Sequence, residues 1–351
     1  MVCSVHATGS RPQAFEGDLL YSSPRAVCVG EGLVVLVAEP GALEDSATFS
    51  RTAGGAESNV ARVLVQLGVS TSWISRVGDD GFGRYLVRQL DESGVDVSGV
   101  AVDASRPTGM YVKERGSGTG IGGDLGSGES RMTYFRTGSA ASALSVEDLS
   151  AELIDAAEVV HFSGITVALS ESAESMTRAL LASPSSVSFD LNFRPALWGS
   201  RIDRAPTILA DHVRASDIVL MGADEAELVF GICDPAALRA EFPEPRHLIV
   251  KNDAHVVTAF DGSSRVDVPA LTLDVVEKIG AGDAFAGGFL AGLLTKVSAV
   301  ERVRLGHLCA AGALTAHGDV ATVPTTSDLA AALSLSDARW SSAVFTDLVS
   351  G

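Results

Sequence analysis

The chain has 351 residues, 46% of them hydrophobic and 20% charged, a globular composition that excludes a disordered or low-complexity protein. Its net charge of −18 repels phosphate backbones and argues against a nucleic-acid partner. No apolar run is long enough to span a bilayer, and the start lacks the basic and apolar stretches of a signal peptide.

In chain order, residues 1–25 read as a poorly ordered N-terminal extension, and residues 26–345 as one α/β domain with an appendage. Ala26 to Val37 is β-branched and apolar, broken by Gly30 and Gly32, which predicts a buried strand and a second strand or turn. Glu57 to Leu67 carries apolar residues at helical spacing and stops at Gly68. Ser70 to Val77 has a strand pattern, and Phe82 to Ser93 a helical one ending at Gly94. This alternation points to a mainly parallel sheet with helices on both faces. Segments 38–53 and 100–138 differ: short strands at Tyr111–Val112 and Met132–Phe135 flank a Gly- and Ser-rich loop over 116–128. They predict a small β appendage. Val159–Phe162, Ser186–Leu191, Ile218–Met221 and His247–Lys251 then read as core strands, with a late hairpin at Val256–Phe260 and Arg265–Val268. Two Ala/Gly-rich helices, Ala281–Leu294 and Val300–Ala316, follow.

Cys3, Cys28, Cys233 and Cys309 are far apart, with no C-x-x-C pair. They read as reduced thiols of a cytoplasmic protein, not as disulfides or a zinc site. Gly118-Thr119-Gly120-Ile121-Gly122-Gly123 matches G-x-G-x-x-G, but no helical pattern follows it, so a dinucleotide site is disfavoured. His161 and His307 read as packed residues, since no ligand spacing surrounds them.

The most informative segment is Glu277 to Ala291, EKIGAGDAFAGGFLA. A glycine pair brackets Ala281, an aspartate follows, and an apolar helix starts at once. The free N–H groups of Gly280, Ala281, Gly282 and Asp283 can receive an anion at such a helix start. Asp283 is equally an ordinary first-turn residue, and a lone G-x-G-D fits both readings evenly. Gly287, Gly288 and Gly292 further down the helix imply tight packing beneath a site, which favours the anion reading. With a phosphoryl group on those amides, Asp283 can take the proton from an attacking hydroxyl. No Walker A sequence and no protein-kinase motif is present.

Gly280-Ala281-Gly282-Asp283-Ala284-Phe285 resembles the C-terminal signature of the ribokinase (PfkB) family of carbohydrate kinases. Gly54-Gly55-Ala56-Glu57-Ser58-Asn59-Val60-Ala61, Leu67-Gly68 and Arg76-Val77-Gly78-Asp79-Asp80-Gly81-Phe82-Gly83 resemble its N-terminal signature. A narrower resemblance, to 2-keto-3-deoxygluconate kinases, rests on four stretches. These are Thr108-Gly109-Met110-Tyr111, Tyr134 to Ala140 (YFRTGSA), Phe162-Ser163-Gly164-Ile165-Thr166 and Asp190 to Trp198 (DLNFRPALW).

The resemblance implies a three-layer ribokinase-like domain, its mainly parallel sheet flanked by helices, with a small β-sheet lid over the sugar. It implies an enzyme that phosphorylates 2-keto-3-deoxygluconate to its 6-phosphate with ATP and Mg²⁺, Asp283 being the base and Gly280, Ala281 and Gly282 the anion hole. Gly55, Asn59, Tyr111, Tyr134, Arg136 and Arg194 would line the sugar-acid pocket, the arginines as forks for a carboxylate. Lys251, Asn252, Lys278, Gly280 and Gly282 would face the nucleotide. Glu225 would reach Mg²⁺ indirectly, and a monovalent cation belongs to the family pattern. Lid pairing implies a homodimer or higher homo-oligomer.

Three departures stand out. The family's Asn-x-x-Glu is Gly222-Ala223-Asp224-Glu225, its nucleotide-loop glycines are replaced around Asp253, and Glu277-Lys278-Ile279 stands before the anion hole, where it bears on cation binding. Gly222 and the altered nucleotide loop motivate a reading of another class, a catalytically weak sugar-binding or regulatory protein on the same fold, and a fructokinase- or ribokinase-like enzyme for a neutral sugar is a separate alternative.

Overall fold

The computed structural model describes residues 25–120, 122–252, 255–315 and 321–349. The expected N-terminal extension lies outside the described residues apart from Arg25, as do Ile121 of the glycine-rich loop and Asp253 of the nucleotide loop.

Thirteen strands form among the described residues: β1 (Ala26–Val29), β2 (Leu33–Ala38), β3 (Phe49–Gly54), β4 (Thr71–Gly78), β5 (Val100–Asp103), β6 (Met110–Arg115), β7 (Ser130–Phe135), β8 (Val159–Ser163), β9 (Ser186–Asp190), β10 (Ile218–Gly222), β11 (His247–Asn252), β12 (Val256–Asp261) and β13 (Ser264–Pro269). Nine build one sheet in the order β13-β12-β11-β10-β9-β8-β1-β4-β5. It is parallel from β5 to β11 and antiparallel only at the β11–β12–β13 end. The other four form a separate small sheet in the order β3-β2-β6-β7.

The period-2 alternation of strand side chains distributes the core over both faces. Ala26, Cys28, Ile218 and Leu220 join one hydrophobic cluster, whereas Val27, Val29, Val219 and Met221 join the other. The first cluster is closed by the helices Ala56–Gln66, Gly81–Glu92, Ala281–Leu294 and Ala299–Leu314. The second is closed by Glu171–Leu180, Ala205–Ala215 and Ala223–Phe230. Strands apolar on both sides are what a parallel sheet covered by helices requires.

Two segments differ from the sequence expectation. Val100–Asp103 pairs in parallel with β4 at the edge of the large sheet, so the small sheet does not start there. The small sheet instead takes in Leu33–Ala38, upstream of residue 38. The run LVVLVA is apolar throughout, so its pattern does not say which sheet it joins. Leu33 and Val35 pack with Tyr111 in a third, small cluster belonging to that sheet. In the loop between β6 and β7, Asp124 accepts hydrogen bonds from Ser117 and Thr119, and no helix starts there.

Candidate active site

The helix Ala281–Leu294 begins on Gly280, whose φ of 77° lies in the left-handed region that glycine adopts readily. The Ala284 amide is the one that closes back on the Gly280 carbonyl, at 2.8 Å. The preceding amides therefore have no intrahelical acceptor and are available to an anion. A Cβ on Gly287 would lie 2.7 Å from Val63, and one on Gly288 2.7 Å from the Leu305 carbonyl oxygen. These contacts seat the helix against Ala56–Gln66 and Ala299–Leu314, which brings Asp283 to Asn59.

Asn59 Nδ2 donates to Asp283 Oδ2 at 2.9 Å, and Asn192 Nδ2 lies 3.5 Å from Asp283 Oδ1. Burial pushes the Asp283 carboxyl up to about 7; the Asn59 hydrogen bond opposes this, the charges of Asp190 and Glu57 add to it, and Lys251 opposes it. A carboxylate so poised can accept a proton near neutral pH.

Around it lies a set of paired charges. Lys251, at the end of β11, places Nζ 2.9 Å from Asp190 Oδ2 at the end of the neighbouring-but-one strand β9. A Cβ on Gly282 would stand 3.7 Å from the same Nζ, so this ammonium lies beside the cradle. Arg194 donates to Glu225 Oε1 at 2.8 Å, while Glu225 Oε2 accepts from the Gly222 amide at 3.2 Å. Glu225 thus caps its own helix and neutralises Arg194.

The remaining candidate residues lie on and beside the small sheet. Tyr111 is buried and its ring tilts against that of Tyr134, with centroids 5.1 Å apart. The Arg136 guanidinium lies 5.6 Å from the Tyr134 ring centroid and forms an ion pair with buried Glu31. Ser139 Oγ donates to Glu31 at 3.1 Å. Gly55 sits at φ 130°, and a Cβ there would lie 2.3 Å from the Glu31 carbonyl oxygen. The chain can turn from β3 into the helix Ala56–Gln66 at that point only without a side chain.

The structure therefore gathers Asp283, Gly280, Ala281, Gly282, Asn59 and Lys251 in one place, with Gly55 beneath the small sheet. Asn252 and Lys278 are exposed beside it. Sequence reasoning did not single out Asn192, Glu31 or Glu57. Asn192 adopts φ 34°, a region asparagine tolerates better than most residues. Glu57 is buried and accepts from Ser163 and Thr166, each at 2.7 Å. His161 meets Ser188 at 3.0 Å and His307 meets the Val268 carbonyl at 3.2 Å, and burial pushes both down to about 4. They are packed, neutral residues.

Among the described residues no group of three His, Cys, Asp or Glu side chains could hold a metal ion. Glu277, connected above with a monovalent cation, commits its carboxylate to Lys113. Glu225, the other residue connected with a cation, commits its carboxylate to Arg194 and the Gly222 amide.

Residues 23–326 match the pfkB family of carbohydrate kinases. A 2-dehydro-3-deoxygluconokinase of Thermoproteus tenax is 34% identical over 302 residues, 85% of this chain and 91% of that protein. One of Bacillus subtilis is 32% identical over 321 residues, covering 88% and 95%. The crystal structure of a PfkB protein from Polaromonas sp. JS666 superposes with a TM-score of 0.77 at 29% identity, over 88% of this chain and 100% of that one. With the family matched over most of its length and its fold shared by these relatives, the chain belongs to the PfkB family of carbohydrate kinases and is a sugar kinase.

Proposed function

We propose that this sugar kinase transfers the γ-phosphoryl group of ATP to the terminal hydroxyl of 2-keto-3-deoxygluconate, also called 2-dehydro-3-deoxygluconate, giving the 6-phosphate and ADP. The observation that carries the reading is Asp283, pushed up to about 7 in the first turn of a helix with free amides. Its carboxylate takes the hydroxyl proton as the sugar oxygen bonds to the γ-phosphorus. The bond to the bridging oxygen breaks, and the electron pair leaves with ADP. The amides of Gly280, Ala281 and Gly282 meet the charge on the transferring group, and Lys251 adds a fixed positive charge beside it. Magnesium, bound with the nucleotide, would screen the phosphate charge. Asn59 and Asn192 orient the base.

Support for a keto-acid substrate comes from the two relatives named for that activity and from the two arginines that the family resemblance assigns to the sugar site. Arg194 is half-exposed on its ion pair with Glu225, so a substrate carboxylate can replace Glu225 there. Arg136 is bound to buried Glu31 and orients the Tyr134 ring. The same pairings favour a second reading, a neutral-sugar kinase, because each arginine already has a carboxylate. A rice fructokinase is 29% identical over 297 residues. ADP release with magnesium and ATP against 2-keto-3-deoxygluconate, fructose, ribose and adenosine separates the two. Preferred turnover of the keto acid supports the first reading, and preferred turnover of fructose or ribose replaces it with the second.

A homodimer is part of this reading. Phe49 and Phe135, 42% and 59% exposed, share one face of the small sheet by register, the face opposite Tyr111. Light scattering that returns a monomer mass at micromolar concentration would remove it.

A further inference from the structure

The small sheet and the anion cradle are joined by a buried ion pair. Lys113 on β6 lies two residues from Tyr111, on the same face, opposite Val37 and Met132. Its ammonium meets the Glu277 carboxylate, and the two side chains are only 2% and 7% exposed. Glu277 is held from below as well: its amide and that of Val276 donate to the Leu314 carbonyl oxygen, at 3.1 and 2.8 Å. Three residues later the chain reaches Gly280, the first residue of the cradle. One strand thus carries Tyr111 into the candidate sugar pocket and Lys113 onto the loop that leads into the phosphoryl site.

We propose that Lys113 and Glu277 are positioning residues that latch the lid to the cradle loop, so that lid closure sets the Gly280–Asp283 turn for phosphoryl transfer. The physical requirement is strict. A lysine or glutamate removed from water without a counter-charge is strongly unfavourable, so each of these two can be buried only where the other is. When the lid lifts, both charges return to water and the cradle loop loses one of its two anchors. The pair therefore makes the closed arrangement specific: the lid seats in the register that brings Lys113 onto Glu277 and in no other. Neither residue touches the reacting atoms, and both act through the position of the backbone between Glu277 and Asp283. The inference rests on the kinase activity and not on the identity of the sugar.

The discriminating variant is the double substitution Lys113→Met with Glu277→Gln, which removes both charges at nearly constant volume. Single Lys113→Met and Glu277→Gln leave a buried charge alone and are expected to melt early. In the double variant the melting temperature should return close to wild type. A purely structural role predicts that kcat returns with it. The latch predicts that kcat stays at least about tenfold below wild type, with the KM for ATP little changed, the pattern of an interaction needed mainly in the transition state. Amide hydrogen exchange of unliganded wild type and double variant gives a readout independent of any substrate. The latch predicts exchange in β6 and β7 at least about tenfold faster in the double variant, with β8, β9 and β10 unchanged. Wild-type exchange in β6 and β7 of the double variant overturns the latch even if no sugar is turned over. Absence of turnover by wild type, with β6 and β7 loosened as expected, would instead count against the proposed substrate.

Discussion

Replacing Asp283 by Asn keeps the shape of the side chain and removes its charge. In the folded chain burial lifts this carboxyl from the usual 3.8 to about 7. The unfolded chain ionises the same group near its usual value. Between the two values the folded state holds a proton that the unfolded state has released, so wild-type stability falls as pH rises through that window and stays lowered above it. At about 1.4 kcal/mol per pH unit, the gap from 3.8 to about 7 bounds the cost at about 4 kcal/mol. Asp283 is half-buried and not sealed from solvent, and screening reduces the figure to about 2 kcal/mol. An amide at this position has no charge to desolvate, so Asp283→Asn should be more stable than wild type at neutral pH. Urea unfolding of both proteins at pH 5 and pH 8 measures it. The advantage of the variant should be larger at pH 8 by about 1–2 kcal/mol. An advantage that is the same at both pH values, or smaller at pH 8, would refute an uncomfortably buried carboxylate at this site.

Because the base must be ionised to work, kcat/KM should fall about tenfold per pH unit below about 7 and level off above it, read from initial rates across pH 5.5–9. Arg194→Ala should raise the KM for the keto acid roughly 10- to 100-fold, as expected from about 1.5–3 kcal/mol for a charged hydrogen bond. Unchanged KM for the keto acid would remove Arg194 from the carboxylate site. Gly55→Ala forces a Cβ to 2.3 Å from the Glu31 carbonyl oxygen at a φ of 130°. The turn from β3 into the helix Ala56–Gln66 should distort, lowering stability by about 1–3 kcal/mol, and differential scanning calorimetry checks it.

The helix start at Gly280 was legible because it depends on local backbone. Gly280 to Asp283 reads as an anion-binding helix start because glycine, amide and aspartate are consecutive, and the glycines below them announce close packing. The α/β rhythm was legible for the same reason, since helical and strand periods alternate within short windows. What stayed hidden depends on register between distant segments. Lys251 and Asp190 stand at the ends of strands separated by β10, and nothing local ties the two together. Lys113 is one charged residue in a polar-looking hairpin, and only the pairing of β6 with β2 and β7 turns it toward Glu277. The arginines show the converse limit. The resemblance assigns them to a pocket, but their partners in the structure, Glu31 and Glu225, come from distant segments that no local pattern ties to them. The extent of the small sheet was blurred because Leu33–Ala38 is apolar at every position and fits either sheet.

If Asp283 is the base for phosphoryl transfer to the keto acid, replacing it by Asn must separate sugar binding from turnover. Product formation from magnesium, ATP and 2-keto-3-deoxygluconate is followed in a single turnover, and binding of the keto acid by calorimetry, beside wild type. The variant should bind the sugar acid about as tightly as wild type and form the 6-phosphate at least about 100-fold more slowly. Wild-type rates of product formation by the variant would contradict it.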